Sequence, residues 1–308
     1  MSATAHAHPP PRYMHAALLM LGSACFFGLM AVAIRLASKS LHTFEIAFFR
    51  NFFGLLAAAP LLLRHGTQIL RTDHFPRYIV RCVIGVISMF CGFWAIGHLP
   101  LAQAISLSYS TPLFVTIAAV WMLGEHVRAR RWAAVLVGFI GVLIIVRPGS
   151  TNFTTGTLVA ISAAVLSALV SIQIKQLSRT EPADRIVLYT TLLWVPLSLG
   201  PALFVWEWPT GITWLWVAAA GFMGTGGHML WTRALKLGDV SALTSISFMQ
   251  LPVVAIFGWL LFDETLDRWT VIGASIIFGA NAYIAHREAQ LARRNLSQAP
   301  VQAAQPNE

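Results

Sequence analysis

Two stretches of the sequence share one plan: residues 102–132, AQAISLSYSTPLFVTIAAVWMLGEHVRARRW, and residues 241–269, SALTSISFMQLPVVAIFGWLLFDETLDRW. Each stretch begins with small and hydroxylated residues and has a proline near its middle, Pro112 in the first and Pro252 in the second. An aliphatic run follows, then a glutamate, and then a tryptophan that opens the next apolar segment. The chain is therefore predicted to consist of two related halves.

The spacing within the two stretches differs by one position. From the proline to the glutamate there are thirteen positions in the first copy, which ends at Glu125, and twelve in the second, which ends at Glu264. This difference predicts that one residue has been gained or lost between the proline and the end of the helix.

Apolar runs long enough, or nearly so, to cross a hydrocarbon core of about 30 Å recur along the whole chain. With 57% hydrophobic and 11% charged residues, the 308-residue chain has too few polar residues for a surface that faces water, so we expect lipid as its solvent. We predict an all-α membrane protein of ten transmembrane helices near Met14–Leu36, Phe44–Leu63, Ile79–Gly97, Ala102–Leu123, Trp132–Val146, Thr157–Ile174, Ile186–Trp206, Trp214–Trp231, Val240–Phe262 and Trp269–Ala285.

Lysine and arginine fall almost entirely on one side of these spans. If the N-terminus lies in the cytoplasm, sixteen of the 21 basic residues are cytoplasmic, four are external, and Arg50 lies within a span. This positive-inside bias predicts a multi-pass membrane protein with both termini in the cytoplasm. The net charge of +9 is then explained by basic residues at span ends that meet anionic lipid headgroups, and we expect no nucleic-acid partner.

Each half holds five spans, and an odd number means that the second half enters the membrane in the opposite sense. Inverted repeats with a binding site between them are a common construction of secondary transporters. The predicted organisation is a cytoplasmic N-terminal tail at 1–13, a first five-helix repeat at 14–149, a second at 150–287 and a disordered cytoplasmic tail at 288–308.

The order of several motifs resembles one known family. The motifs are the run EIAFFRNFFG at Glu45–Gly54, Pro112 with Leu-Gly-Glu125, Gly138 to Gly141 followed by Arg147-Pro148-Gly149, and Pro252 with Asp-Glu264. Together they resemble the drug/metabolite transporter superfamily, and within it the EamA-type carriers with two five-helix repeats. The stretch from Gly227 and His228 to Leu237 is similar to a subgroup whose proposed substrates include riboflavin and S-adenosylmethionine.

This resemblance implies a secondary transporter that moves a small organic metabolite or drug by alternating access. Export, coupled to protons or driven by the substrate gradient, is the leading expectation. Import of a vitamin or cofactor-like molecule is the alternative, and an integral membrane enzyme is a weaker one. The sequence has no Walker motif, so we expect no ATP hydrolysis by this chain. We expect a small-molecule substrate and lipid as partners, no cofactor, no metal, and a monomer or homodimer.

Two polar stripes are the candidate lining of a central cavity. At 100° per residue, Gln103, Ser106 and Ser110 share a narrow arc of the fourth span, and the ninth span carries a wider arc of Thr244, Ser247 and Gln250. For each serine, lining a cavity and bonding to a neighbouring helix stay open as alternatives. The two glutamines favour lining, because an amide that faces lipid is costly.

Two aromatic residues and two prolines complete the predicted path. Tyr109 is positioned to stack against a flat ligand, or else to pack with one hydrogen bond, and Trp231 either contacts the ligand or packs. Pro112 and Pro252 each remove a backbone hydrogen bond and are predicted hinges around the cavity, with a static kink as the alternative.

Three ionisable residues are candidates for gating or coupling. Arg50 lies inside a span, where a charge is costly unless it is paired or hydrated, and it either gates, binds substrate, extends to an interface or pairs with Glu45. His228 follows a glycine-rich stretch and titrates near neutral pH, which suits proton coupling, although a histidine that only satisfies a backbone carbonyl is the alternative.

Overall fold

The computed structural model describes residues 11–65, 72–125, 127, 129–149, 153–237, 243 and 246–302. In these ranges the chain forms helices joined by short turns and has no strand, which confirms the predicted all-α class. The helices are α1 (Pro11–Ala37), α2 (Thr43–His65), α3 (Phe75–His98), α4 (Leu101–Ser108), α5 (Thr111–Leu123), α6 (Ala129–Val146), α7 (Thr155–Leu177), α8 (Ala183–Leu203), α9 (Thr213–Leu237), α10 (Gln250–Phe262) and α11 (Arg268–Gln302).

Six segments in the described part are long and apolar enough to cross a membrane. Five of them belong to α1, α3, α6, α7 and α8, and the sixth is Leu101–Leu123, which α4 and α5 form together. α10 is apolar but has only 13 residues. The ten transmembrane helices predicted from the sequence therefore stay a prediction beyond these six.

Two helix boundaries of the first half recur in the second half, each the same number of residues later in the chain. α1 ends at Ala37 and α7 at Leu177, and α2 begins at Thr43 and α8 at Ala183, so both boundaries recur 140 positions later. The turn between α1 and α2 thus has the same length as the turn between α7 and α8. Each half uses one plan for its first two helices.

The second recurrence concerns α5 and α10, which have 13 residues each. Both begin after a two-residue break in the helix, and both end in a left-handed residue, Gly124 with φ 65° and Asp263 with φ 52°. In both, the next residue is the glutamate, and its N–H donates to a carbonyl of the last turn, Ala119 O for Glu125 and Gly258 O for Glu264. The broken helices of the two halves therefore superimpose in register.

This register corrects one prediction. No residue is gained or lost between the break and the terminal glutamate, because α5 and α10 are equally long. The proline alone shifts, since Pro112 is the second residue of α5 and Pro252 is the third residue of α10. Both positions lie in the first turn, where the missing N–H of proline has no helical partner to lose.

Antiparallel contacts join the first helix of each half to the other half. α1 packs along α9, where Ser23 Oγ donates to Gly227 O at 2.9 Å and Met30 lies against Gly224. α7 packs along α3 in the same way, where Ser88 Oγ donates to Ala163 O at 2.9 Å. The two halves are thus interleaved and share one continuous apolar core.

Parallel contacts join the next pairs. α2 runs beside α9, with Thr225 Oγ1 donating to Gly54 O at 3.2 Å, and α3 runs beside α8, with Arg81 bonded to Thr190. One end of this bundle carries Arg35 and Glu264 and is called here the Glu264 end. The other end carries Glu125 and Lys175 and is called the Glu125 end.

α6 and α11 cross at two glycines. A Cβ built on Gly141 would lie 2.7 Å from Gly273 O, and one built on Gly273 would lie 2.5 Å from Gly141 O. Small residues at such a crossing let two backbones approach closely, which is how helices gain van der Waals contact in lipid.

The last helix extends beyond the predicted spans. α11 runs to Gln302, so the described part of residues 288–308 is helical where the sequence predicts a disordered tail. The prediction considered polarity, whereas Ala, Gln, Leu, Glu and Arg in this stretch have high helix propensity. Residues 303–308 and 1–10 of the predicted tails lie outside the described residues.

We predict that Gly273→Ala destabilises the protein by about 1–3 kcal/mol, because the added methyl overlaps the α6 backbone. Gly279→Ala on the same helix is the control, since a Cβ there has no neighbour within 4 Å. Thermal unfolding in detergent, followed by size-exclusion fluorescence, measures both. Equal melting temperatures for the two variants would contradict the close crossing.

Candidate functional site

The two helix breaks face each other in the middle of the bundle. Tyr109 lies in the break between α4 and α5, and Phe248 lies in the equivalent break before α10. Their rings stack with centroids 4.1 Å apart and planes inclined by 18°. Phe278 of α11 meets Phe248 edge-on at 4.5 Å. The aromatic contact therefore joins the irregular backbones of both halves at one point.

Polar groups surround this contact. Tyr109 Oη donates to Ser247 O at 2.8 Å and approaches Gln250 Oε1 at 3.2 Å. Asn281 Nδ2 donates to Tyr109 O at 2.8 Å. The residues Tyr109, Ser247, Phe248, Gln250 and Asn281 are called the break cluster.

The break itself explains why the Tyr109 carbonyl is available to Asn281. At this point the Leu113 N–H donates to Ser110 O at 3.0 Å, so the Tyr109 carbonyl has lost its usual partner four residues on. A buried carbonyl needs a donor, and the Asn281 amide, only 4% exposed, supplies it.

The carbonyls four residues before the two prolines also have hydrogen-bond donors. Ser108 O accepts a hydrogen bond from Thr111 Oγ1 at 2.8 Å, and Phe248 O accepts one from the Leu251 N–H at 2.9 Å. Local groups thus satisfy both breaks, as backbone inside a membrane protein requires. That Pro112 and Pro252 serve as hinges stays a prediction.

Gln103 lies apart from the break cluster, near the Glu264 end. It is 9% exposed and lines an open cavity of about 180 Å³. Other residues of this cavity wall include Ala102, Ala255, Gly258, Glu264 and Asp267. The wall of this cavity combines charged residues with small ones.

The two serines of the fourth span bond to their own helix. Ser106 Oγ donates to Ala102 O and Ser110 Oγ donates to Leu107 O, both at 2.6 Å, and both residues are buried. In this conformation both hydroxyl groups therefore donate hydrogen bonds within the fourth span. Thr244 of the ninth span lies outside the described residues.

Arg50 is held deep in the bundle and is 8% exposed. One of its terminal nitrogens donates to Asn51 Oδ1 at 3.0 Å, and its guanidinium carbon lies 5.9 Å from the ring centroid of Trp194. Asn51 Nδ2 in turn donates to Ser198 Oγ at 3.2 Å. A Cβ on Gly224 would lie only 2.7 Å from the guanidinium, so α9 needs a glycine there.

The described contacts do not pair Arg50 with Glu45. Glu45 is 1% exposed and accepts the N–H of His42 at 2.9 Å, which caps the start of α2, and also the N–H of Glu207. A glutamate in the third position of a helix that bonds back to the N-cap is a capping-box interaction. Glu45 thereby joins α2 to the segment that follows α8, and its role in gating stays a prediction.

The two remaining candidates lie on α9. His228 is exposed, and its ring meets Phe27 of α1 edge-on with centroids 4.9 Å apart. Trp231 is 42% exposed, and none of the described contacts joins it to the break cluster. Their proposed parts in coupling and substrate contact stay predictions.

Several residues of the site were missed by sequence reasoning. Asn281 and Asn51 satisfy the criterion applied to the glutamines, a buried amide within an apolar run, and that criterion could have found them. The ring of Phe248 gave no signal, because an aromatic residue in an apolar segment is ordinary.

Comparisons with known proteins identify similar chains. A model described as "EamA-like transporter family" matches twice, over residues 14–147 and 154–285. The chain is 31% identical to a riboflavin transporter of Vibrio cholerae, over 91% of this chain and 96% of that protein. It is 29% identical to an S-adenosylmethionine uptake transporter of Rickettsia felis (84% and 88%) and 31% identical to a pseudopaline exporter of Pseudomonas aeruginosa (84% and 92%). A solved crystal structure shares the fold, with a TM-score of 0.61, 23% identity, and coverage of 91% and 98%.

We predict that Tyr109→Phe costs about 1 kcal/mol of unfolding free energy, because the hydroxyl loses Ser247 O while the ring stack remains. Tyr109→Ala should cost about 3–5 kcal/mol, because it also removes the stacked ring and leaves a cavity. Thermal unfolding of the purified variants in detergent measures the difference. If both substitutions gave the same small loss, the stack would not hold the two breaks together.

Proposed function

Because the chain belongs to the EamA-like transporter family, we propose that it is a secondary carrier whose two inverted halves alternate access to a site at the break cluster. Membership of this family makes it a transmembrane transporter and not an enzyme, as the sequence predicts. Alternating access to a site at the break cluster is supported by the contact of the two helix breaks, where the Tyr109 ring stacks on the Phe248 ring.

The contact pattern supports an inverted relation of the halves. If α1 corresponds to α7 and α3 to α9, the antiparallel contact of α1 with α9 becomes the antiparallel contact of α7 with α3. The same exchange converts the parallel pair α2 and α9 into the parallel pair α8 and α3. A two-fold axis in the membrane plane relates helices in this way, and it is the symmetry of inverted-repeat transporters.

The break cluster supports a flat substrate with hydrogen-bonding edges. Two aromatic rings lie parallel at its centre, and separating them by one ring thickness would admit a planar molecule between them. The amides of Gln250 and Asn281 lie beside the rings and can donate to or accept from such a molecule. Relatives named for riboflavin and S-adenosylmethionine transport support the same substrate class.

Energy for transport comes from an ion or substrate gradient, because the sequence has no Walker motif for ATP. Export coupled to protons is the first candidate, and the relative named an exporter supports it. Uptake of a cofactor-like molecule is the second candidate, because another relative is named an uptake transporter. His228 is the proposed coupling group, since an unperturbed imidazole gains or loses a proton in the physiological pH range and this ring lies where α9 meets α1.

The distribution of basic residues supports a bacterial inner-membrane location with both termini in the cytoplasm and the Glu264 end outside. Alkaline phosphatase fused after Gly149 or after Trp208 should be active, because the enzyme folds only outside the cytoplasm. The same enzyme fused after Arg179 should be inactive and is the matched control. Activity after Arg179 together with inactivity after Gly149 would overturn this orientation.

We predict that inverted membrane vesicles containing the protein move riboflavin, measured by its fluorescence, faster than vesicles without it. The double variant Gln103→Ala plus Gln250→Ala should lose about tenfold or more of this flux, because it removes one amide of the break cluster and one amide of the cavity at the Glu264 end. Ser162→Ala is the matched control, since that exposed hydroxyl bonds only to Leu158 O of its own helix in the described structure.

The same vesicles are also tested with labelled S-adenosylmethionine, in both directions. Unchanged flux in the double variant would contradict the proposed site. Absence of flux for both probes, with intact protein in the vesicles, would contradict the proposed substrate class.

A further inference from the structure

Arg35 and Glu264 form an ion pair at the Glu264 end, with a nitrogen to oxygen distance of 3.1 Å. Arg35 also donates to Ile96 O at 2.7 Å and to Leu99 O at 3.1 Å, at the end of α3. The second carboxylate oxygen of Glu264 accepts the Leu101 N–H at 2.7 Å, at the start of α4. This pair therefore ties α1 and α10 to the turn between α3 and α4.

Lys175 and Glu125 form the corresponding pair at the Glu125 end. Lys175 lies in the last turn of α7, and Glu125 follows the left-handed Gly124 that ends α5. The pair thus ties the first helix of the second half to the broken helix of the first half.

The two pairs occupy equivalent positions in the repeat. Arg35 lies two residues before the end of α1, and Lys175 lies two residues before the end of α7. Glu125 and Glu264 each follow the left-handed residue that ends α5 and α10. In both pairs a cation on the first helix of one half meets a carboxylate on the broken helix of the other half. The two contacts are therefore one interaction, formed once at each end of the bundle.

The surroundings of the two equivalent pairs differ. At the Glu264 end, Ala255 is partly exposed and lines the open cavity, whereas Gly258 on the same wall is buried. The equivalent residues of α5, Thr116 and Ala119, are buried, with exposures of 0% and 2%. The two ends therefore differ at the equivalent positions Ala255 and Thr116, while the ion pair is formed at both ends.

We propose that Arg35–Glu264 and Lys175–Glu125 are the two gates of the transport cycle, and that each breaks when its own end of the bundle opens. The inference rests on the proposed alternating access and adds the residues that control it. An ion pair between partly exposed side chains is weak, so it can break and re-form in every cycle. The Glu264 gate has three additional hydrogen bonds to backbone groups, so it holds its end more firmly than the exposed Lys175–Glu125 pair.

The test uses one reporter thiol at a time, in a chain that also carries Cys25→Ala, Cys82→Ala and Cys91→Ala. Ala255→Cys reports on the Glu264 end, and Thr116→Cys reports on the equivalent position at the Glu125 end. A charged, membrane-impermeant methanethiosulfonate reagent is applied to right-side-out and to inverted vesicles, and the labelling rate is measured. Each reporter is combined with Glu264→Gln or with Glu125→Gln, which are matched variants of the two halves.

We expect Glu264→Gln to raise labelling of Ala255→Cys and to lower that of Thr116→Cys, each by about twofold to fivefold. Glu125→Gln should produce the opposite changes. Glutamine keeps one acceptor for the Leu101 N–H, so the fold is retained. Arg35→Gln should change both labelling rates in the same directions as Glu264→Gln, because it breaks the same pair together with the two bonds to the end of α3. Labelling rates of the two reporters that change in the same direction, or do not change, would overturn the gate assignment.

Riboflavin flux in the same vesicles separates this inference from the proposed function. Flux without opposite labelling changes would leave the transporter standing and reject these gates. Opposite labelling changes without riboflavin flux would support the gates and reject the proposed substrate.

Discussion

The contact of Tyr109 with Phe248 is the constraint on which the rest of the site depends, because it places two interrupted backbones side by side. A break in a membrane helix exposes carbonyls, and such groups need donors that lipid cannot supply. Here Asn281, the Thr111 hydroxyl and the Leu251 N–H supply them. Of these donors, Asn281 belongs to the other half of the chain, so its bond to Tyr109 O keeps helices of the two halves in contact at the break.

Other buried polar groups form hydrogen bonds with residues of the opposite half. Asn51 reaches Ser198, and Ser23 reaches Gly227, in each case across the boundary between the halves. Arg50 lies against Trp194 and over Gly224, where any larger residue would collide with its guanidinium. Such contacts couple the halves, because neither half alone satisfies its own buried groups.

The sequence predicted the helical class, the family and the doubled broken helix, because apolar runs and duplicated prolines are local patterns. It also predicted that Tyr109, Ser247 and Gln250 line one region, and the structure brings these three together. It did not predict the hydrogen bond from Asn281 to the Tyr109 carbonyl in the break, because that contact joins residues 172 positions apart. The predicted gain or loss of one residue between the repeats was wrong, because a proline can occupy different positions in the first turn of helices that have the same boundaries.

In the proposed transport cycle, the two ends of the bundle open in alternation. Spin labels on Lys39 and Leu266 span the Glu264 end, and labels on Val127 and Arg179 span the Glu125 end. Double electron–electron resonance in lipid nanodiscs, with and without riboflavin, measures both distances. We predict two populations at each end, with riboflavin lengthening the mean distance at one end while shortening it at the other. A single distance at each end that does not change with riboflavin, or distances that lengthen at both ends together, would contradict alternating access.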